Sequence, residues 1–163
     1  VALKIWNRLL AEIGETFSAT TVLLKDKREL QRIGVSERKS KYILSIAEQF
    51  KDGKECEYSV DNLLKLRTDS EIVNKLKQLY GIGEWSAQMT LIFGLRKLDV
   101  LPIGDYGIKK GLMRLFRLKS VPNLNQIQAL TEPWRPYRSV ACIYLWKLAD
   151  LSSCELKTMY GNV

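Results

Sequence analysis

Two glycines that flank one aliphatic residue, Gly81-Ile82-Gly83, constrain the fold of this chain more than any other feature. They separate two runs of apolar residues with the spacing of amphipathic helices: Ile72, Leu76 and Leu79 before them, and Ala87, Leu91, Ile92 and Leu95 after them. Because glycine reaches positive φ without steric cost, the segment predicts that one helix stops and the chain turns sharply. A second helix is then predicted to begin near Ser86.

The same turn predicts a site for an anion. The first amide groups of a helix have no partner inside the helix, and neighbouring glycines let a ligand approach the backbone closely. This combination is typical of a phosphate site. An ordinary turn between two packed helices is the commoner meaning of two such glycines, so the pattern alone leaves both interpretations open.

The periodicity of apolar residues elsewhere predicts an all-α fold. The segments with helical spacing are 2–13, 26–33, 37–51, 60–66, 69–79, 106–118, 124–130 and 137–148. No alternating pattern of strand length recurs in the sequence. Asp26 and Ser36 are predicted N-caps, because a short polar side chain can accept an amide proton at a helix start. Residues 17–24 are predicted to form a loop, and the polar segment 52–58 a linker.

Two of these predicted helices carry informative faces. In helix 2–13 we expect Leu3, Trp6, Leu9, Leu10 and Ile13 to form the buried side. In helix 106–118 the predicted buried side is Ile108, Leu112, Leu115 and Phe116, and a basic stripe is formed by Lys110, Arg114 and Arg117. Such a stripe can follow the phosphates of a nucleic acid, although solvation is the commoner reason for one.

Composition narrows the class of protein. The chain has 163 residues, 46% of them hydrophobic, which predicts one domain with a normal core. No apolar run approaches the ~20 residues that a membrane span needs, so we expect no membrane partner. The net charge of +8 suits a polyanionic partner, and a merely basic surface would explain it equally well.

The cysteines argue against a metal cofactor. The sequence contains only Cys56, Cys142 and Cys154, which cannot supply the four thiolates of an iron–sulfur cluster. It has no CxxC pair and no histidine, which argues against a zinc site. Reduced thiols in an intracellular protein, in the cytoplasm, nucleoid or nucleus, are the plain interpretation.

Two segments resemble a known family. Residues 79–87, LYGIGEWSA, followed by residues 99–112, DVLPIGDYGIKKGL, resemble the helix-hairpin-helix DNA glycosylases, most closely the 3-methyladenine DNA glycosylase II branch. Residues 134–139, WRPYRS, which lead to Leu145-Trp146, resemble a later segment of that family. The resemblance implies two helical lobes with an intervening cleft, in a single domain over residues 1–163. Within it, the hairpin would span residues 79–87 and the catalytic loop residues 99–105.

The resemblance also implies that the chain begins late. The family has a segment before the first helix that supplies a residue wedged into the space left by a flipped base. This chain starts without Met and inside an amphipathic helix, so we expect the N-terminal part of the family fold to be missing. Residues 34–39, GVSERK, resemble the family's second turn that contacts DNA backbone, or else form only a solvated helix start.

By the resemblance, Asp105 would be the catalytic carboxylate. Its alternative role is to cap the helix that follows, and both roles are compatible. The expected DNA-binding residues are Gly81, Ile82, Gly83 and Ser86 of the hairpin, where a monovalent cation can bind the backbone, together with Lys110, Arg114 and Arg138. Trp85 and Trp146 match the aromatic residues of the family's pocket, and Tyr80 and Tyr106 flank the same motifs. Glu84 departs from this pattern, because it brings a negative charge to the proposed phosphate site.

The chemistry expected of such a site is removal of a base flipped out of duplex DNA. An anionic carboxylate would stabilise the oxocarbenium-like sugar in the transition state and orient the attacking water. Lyase-type relatives have a nucleophilic lysine where this chain has Trp85, so we expect hydrolysis alone. Without histidine to protonate the leaving base, cationic bases such as 3-methyladenine and 7-methylguanine are the expected substrates.

Two rival functions stay open at this point. A non-catalytic helix-hairpin-helix module that only binds DNA explains the hairpin and the charge equally well, and only Asp105 with the aromatic residues separates it from the enzyme. A helical protein-interaction domain would show no salt-dependent binding to DNA. For the enzyme we expect a monomer that acts on damaged double-stranded DNA without an organic or redox cofactor.

Overall fold

The structure, a computed structural model of the chain, describes residues 2–14, 16–51, 56–152, 155, 156 and 158. Within these residues all regular secondary structure is helical, as the periodicity predicts. The chain forms two compact units, Val1–Ala87 and Gln88–Val163. The α-helices are α1 (Ala2–Ile13), α2 (Ala19–Leu23), α3 (Lys27–Arg32), α4 (Glu37–Gln49), α5 (Val60–Leu64), α6 (Asp69–Leu76), α7 (Glu84–Met89), α8 (Tyr106–Leu115), α9 (Leu124–Thr131) and α10 (Arg138–Asp150). A π-helix, Thr90–Gly94, follows α7, and a 3-10 helix, Glu132–Trp134, follows α9.

Short polar side chains begin several of these helices. The predicted caps are confirmed: Asp26 accepts the N–H of Glu29 at 2.8 Å, and Ser36 accepts the N–H of Lys39 at 3.4 Å. The predicted loop 17–24 is wrong, because α2 lies within it. Ser18 and Thr21 form a reciprocal capping box at the start of α2, which offsets the modest helix propensity of its threonines.

One hydrophobic cluster of the first unit lies where α1, α3 and α4 meet. Leu9, Leu30 and Val35 are its buried members. The predicted buried face of α1 is only partly buried, because Leu3 is 70% exposed and Trp6 is 46% exposed. The Trp6 ring instead lies against the exposed Phe17, with 5.4 Å between the ring centroids.

A hydrophobic core cluster of the second unit lies between α8, α9 and α10. Its buried members are Leu101, Ile108, Leu112, Ile127, Cys142 and Leu145. Helices α8 and α10 approach so closely that a Cβ at Gly111 would lie 2.4 Å from the carbonyl oxygen of Leu145. Leu115 and Phe116, predicted to be buried, are 42% and 40% exposed because they lie past this crossing at the end of α8.

Some sequence predictions fall outside the described residues. These are residues 52–55 of the predicted linker, Cys154, and most of the tail beyond Ser152. No helix among the described residues has the length and apolar character that crossing a bilayer requires.

Candidate active site

The hairpin 79–87 has a shape that depends on the glycine at position 81. The N–H of Ile82 donates to the carbonyl of Leu79 at 3.0 Å, and Gly81 has a φ of +95°. A Cβ at this position would lie 2.2 Å from Cγ of Tyr42, on α4. Both the backbone conformation and the space beside it therefore exclude a side chain at position 81.

The second glycine of the hairpin has a different role. Nothing lies within 4 Å of a Cβ built at Gly83, so space does not exclude a side chain there. Its carbonyl accepts the N–H of Ala87 at 3.0 Å, and α7 begins at Glu84, two residues before the predicted start at Ser86. Glu84 receives a hydrogen bond from Lys77 at 2.9 Å, so a lysine offsets the negative charge that departs from the family pattern.

Aromatic side chains border the hairpin. Tyr80 is 60% exposed and packs edge-on against Tyr42, with 4.9 Å between the ring centroids. Trp85, in the first turn of α7, is 53% exposed. Both predicted pocket residues of the first unit thus present an aromatic surface to solvent.

In the second unit, α10 anchors the start of the predicted catalytic loop. Arg138 donates through Nε and Nη2 to the two carboxylate oxygens of Asp99, at 2.6 and 2.8 Å. Arg135 donates to the same carboxylate at 2.9 Å. The Arg138 side chain is only 12% exposed, which makes this pair the more buried of the two. Hydrogen bonding to Arg138 lowers the pKa of Asp99, so the ionised form of this carboxylate is favoured.

Further polar contacts, which are buried, join α10 to the residues on either side of Asp99. The buried Ser139 donates its N–H to the carbonyl of Leu98 at 2.8 Å, and its hydroxyl accepts the N–H of Val100 at 2.9 Å. One turn further along α10 lies Cys142, which is fully buried. Burial, with a smaller contribution from the negative charge of Asp105, raises the pKa of the Cys142 thiol to about 12.

Asp105 ends the loop and begins α8. Its Oδ1 accepts the N–H of Ile108 at 2.9 Å, which confirms the predicted N-cap. The same oxygen accepts the indole N–H of Trp146, on α10, at 3.1 Å. The side chain is partly exposed. The N–H groups of Ile108 and Trp146 thus orient Asp105.

Gly107 makes the approach of the indole possible. A Cβ at this position would lie 2.8 Å from Cδ1 of Trp146 and 3.0 Å from Oδ1 of Asp105. Gly107 is not among the glycines with positive φ, so the missing side chain matters for space alone.

Phe93 is a candidate that sequence reasoning missed. It lies on the π-helix, is 60% exposed, and stacks on Trp146 with 5.9 Å between centroids and 28° between ring planes. A π-helix adds a residue to the turn and shifts the direction of the side chains that follow. Because Phe93 lies in an ordinary apolar run, nothing in the sequence signals this placement.

The remaining predicted site residues differ in their contacts and in their exposure. Nη1 of Arg114 donates to the carbonyls of Leu148, Ala149 and Leu151, at 2.7, 2.9 and 2.8 Å, and so caps the end of α10. Arg138 is bound to Asp99. Lys110 and Ser86 are half-buried on α8 and α7, and Tyr106 is 70% exposed at the start of α8. Contact of these residues with DNA stays a prediction.

Comparison with known proteins identifies the family. Residues 1–136 match the family described as HhH-GPD superfamily base excision DNA repair protein. The chain belongs to this superfamily. The match includes the hairpin, the π-helix and Asp105, and it ends just before α10.

Relatives in the superfamily agree with this assignment. DNA-3-methyladenine glycosylase 1 of Schizosaccharomyces pombe is 34% identical over 91% of this chain and 64% of its own length. The solved structure of 3-methyladenine DNA glycosylase Mag1 of Schizosaccharomyces pombe, in complex with abasic DNA, has a TM-score of 0.78 at 30% identity, over 93% of this chain and 73% of that one. DNA-3-methyladenine glycosidase of Bacillus halodurans has a TM-score of 0.72 at 28% identity, over 99% and 74%.

These likenesses establish the helix-hairpin-helix DNA glycosylase fold. The chain is shorter than its relatives, however, and spans between 38% and 64% of the length of the curated proteins it matches.

Proposed function

We propose that this chain carries the catalytic core of a monofunctional DNA glycosylase of the 3-methyladenine DNA glycosylase II type. It would hydrolyse the N-glycosidic bond of alkylated purines in duplex DNA and so start base excision repair. One observation carries the proposal: the Asp105 carboxylate lies at a helix start, oriented by the N–H groups of Ile108 and Trp146. Support comes from relatives named as 3-methyladenine DNA glycosylases.

The role of Asp105 follows from charge. Cleavage of the bond to the base leaves positive charge on the sugar, and a carboxylate held near C1′ stabilises that charge. A helix N-terminus favours the ionised form of a carboxylate, which is the form that this role requires. The same group would orient the attacking water or accept its proton.

The expected substrate preference follows from the absence of histidine and from the aromatic residues of the proposed site. The chain contains no histidine to protonate a leaving base, and Trp85 stands where lyases have lysine. Cationic bases such as 3-methyladenine and 7-methylguanine leave without acid help. Trp85, Trp146, Tyr80 and Tyr106 would hold such a base by stacking and by cation–π attraction of ~1–2 kcal/mol each when desolvated.

The partner would be double-stranded DNA with a damaged base, bound by a monomer inside the cell. The amides of the hairpin, at Gly81, Ile82, Gly83 and Ser86, would contact backbone phosphate. Lys110 is the cation proposed to contact phosphate directly. Arg114, bound to neutral carbonyls, would add to the positive potential, whereas Asp99 offsets the charge of Arg138.

A monovalent cation at the hairpin fits the groups available there. Backbone carbonyls are hard oxygen donors, and a carbonyl that accepts one amide proton keeps a second lone pair. The carbonyls of Leu79 and Gly83 each accept one N–H, so both could also bind a cation, which would then attract a phosphate. Elsewhere in the described part of the chain, no group of three or more His, Cys, Asp or Glu could hold a metal ion.

The proposal is tested by single-turnover release of base from duplex DNA that contains 3-methyladenine or 7-methylguanine. Asp105→Asn is the informative variant, because Asn also caps helices well and preserves the start of α8. We expect the variant to lose ~10² or more in rate at unchanged affinity for DNA.

The rivals give different results in the same assay. Salt-dependent DNA binding without base release, by this chain and by a longer form of the protein, would support the non-catalytic module. Absence of salt-dependent binding would support a protein-interaction domain.

A further inference from the structure

We propose that Trp146 is a positioning residue for the Asp105 carboxylate, acting through its indole N–H. The proposal rests on the function proposed above and adds a role to a residue for which sequence reasoning predicts only contact with the substrate base. The observation behind it is the hydrogen bond of 3.1 Å from Nε1 of Trp146 to Oδ1 of Asp105.

The carboxylate oxygen is held from two directions. Ile108 donates to Oδ1 from within α8, and Trp146 donates to it from α10, 41 residues away in sequence. A cap from Ile108 alone would tie the carboxylate to its own helix. The second donor ties it to a neighbouring helix and so fixes it relative to the core that α8 and α10 share.

Gly107 is independent evidence that this contact is built into the fold. Its φ does not require glycine, and glycine is a poorer helix former than alanine. What the glycine provides is room, because a Cβ would lie 2.8 Å from the indole and 3.0 Å from the carboxylate oxygen. The sequence thus has a poor helix former at the position where the indole approaches Asp105.

The indole itself is held in place. One face of Trp146 stacks on Phe93, and its side chain packs against the core cluster of the second unit. Arg138 and Ser139, earlier on the same helix, bind Asp99 and Val100 at the other end of the loop. Helix α10 therefore holds the loop at both ends, and Trp146 is the contact at the reacting end.

A neutral donor suits this role better than a cation. An arginine beside Asp105, like Arg138 beside Asp99, would fix the carboxylate but would also offset the negative charge that must stabilise the sugar. The indole N–H orients the oxygen without adding a full positive charge. Trp146 should consequently affect the rate of bond cleavage more than the affinity for DNA.

Trp146→Phe tests the proposal, because phenylalanine keeps an aromatic face for stacking but removes the N–H. We expect the single-turnover rate of 7-methylguanine release to fall about tenfold to hundredfold, as for a misplaced reacting group. Affinity for duplex DNA with an abasic-site analogue should stay within about twofold of the parent. Trp134→Phe is the matched control, because Trp134 packs against the same core cluster and stacks on Phe116 instead. It should keep the parent rate.

Gly107→Ala approaches the same contact without touching Trp146. The added methyl group should displace the indole from Asp105, so we expect a loss of rate similar to that of Trp146→Phe, although alanine favours the helix. A parent rate in both variants would overturn the proposal. So would an equal loss of rate in Trp134→Phe, because core packing would then explain the effect.

A spectroscopic measurement separates this proposal from the proposed enzyme activity. The chain has four tryptophans, so its indole N–H resonances are few, and Trp146→Phe identifies the relevant one. We expect that resonance to shift in Asp105→Ala and the resonance of Trp134 to stay in place. If the resonance shifts but the protein releases no base, the hydrogen bond is confirmed and the proposed enzyme activity is rejected. An unmoved resonance in an active protein would reject the positioning role alone.

Discussion

The hairpin and the loop that ends at Asp105 are shaped by different kinds of interaction. Residues 79–87 adopt their turn because Gly81 has a φ of +95° and leaves room for the ring of Tyr42. The loop 99–105 instead depends on side chains of α10, with Arg138 bound to Asp99 and Trp146 bound to Asp105. The proposed phosphate site would need a defined turn of the backbone, whereas the proposed catalytic carboxylate would need a defined side-chain position.

The largest effect on stability is expected at the hairpin, from Gly81→Ala. The variant must adopt a positive φ and place its Cβ 2.2 Å from the Tyr42 ring. Strain and overpacking together should lower the free energy of unfolding by roughly 3–5 kcal/mol, measured by urea denaturation.

Two controls sharpen this prediction. Gly83→Ala should cost less than about 1 kcal/mol, because nothing lies within 4 Å of its Cβ. Tyr42→Ala combined with Gly81→Ala removes the clash but keeps the strained φ, so the pair should be less than additive. Equal losses for Gly81→Ala and Gly83→Ala would show that the turn does not depend on position 81.

The next largest effect is expected from Arg138→Met, which removes the anchor at the start of the loop. Breaking this mostly buried pair with Asp99 should lower the free energy of unfolding by about 2–3 kcal/mol at pH 7. Arg135→Met is the matched control, because Arg135 binds the same carboxylate but is 49% exposed. Its loss should be below ~1 kcal/mol.

The pH dependence of Arg138→Met gives a second measurement. Arg138 lowers the pKa of Asp99 in the folded protein, so the stabilisation is complete above the unfolded pKa of ~3.9 and is lost as pH falls through the folded value. The difference in stability between parent and Arg138→Met should therefore narrow as pH falls from 7 towards 3. A constant difference over that range would mean that packing, rather than charge, anchors the loop.

The comparison also explains which features were predictable from sequence. The helices, the caps at Asp26, Ser36 and Asp105, and the hairpin turn all depend on residues within a few positions of one another. The contacts of Asp99 and Asp105 with α10 join residues 39 and 41 positions apart, so no local pattern predicts them.

Two local features were nevertheless missed. Helix α2 depends on the reciprocal cap of Ser18 and Thr21, in a segment whose composition is typical of a loop. The π-helix that presents Phe93 has the same apolar spacing as an ordinary α-helix, so periodicity cannot distinguish them. Asp105 itself was predicted from the resemblance, but its second donor required the packed structure.

Arg114→Met tests whether a predicted DNA contact is instead part of the scaffold around Trp146. Arg114 binds three carbonyls at the end of α10, so its removal should lower the free energy of unfolding by about 1–2 kcal/mol. The salt dependence of DNA binding should change little. Lys110→Met, on the same helix, is the control and should reduce the salt slope by about 1 at nearly unchanged stability. The opposite pattern would make Arg114 the phosphate contact.

The smallest effect on stability is expected at Arg96, in the second unit. Its positive φ is a local backbone constraint, whereas the loop 99–105 of the same unit is held by side chains that are distant in sequence. Arg96 has a φ of 54° after the π-helix, and the N–H of Lys97 donates to the carbonyl of Leu91 at 2.9 Å, as in a helix C-cap that glycine usually forms. Arg96→Gly should raise the free energy of unfolding by about 0.5–1 kcal/mol, because relief of the positive φ exceeds the entropy that glycine loses on folding. Arg96→Ala removes the same side chain but keeps the strain, so it should gain nothing. Equal stability of the two variants would locate the effect in the arginine side chain rather than in the positive φ of position 96.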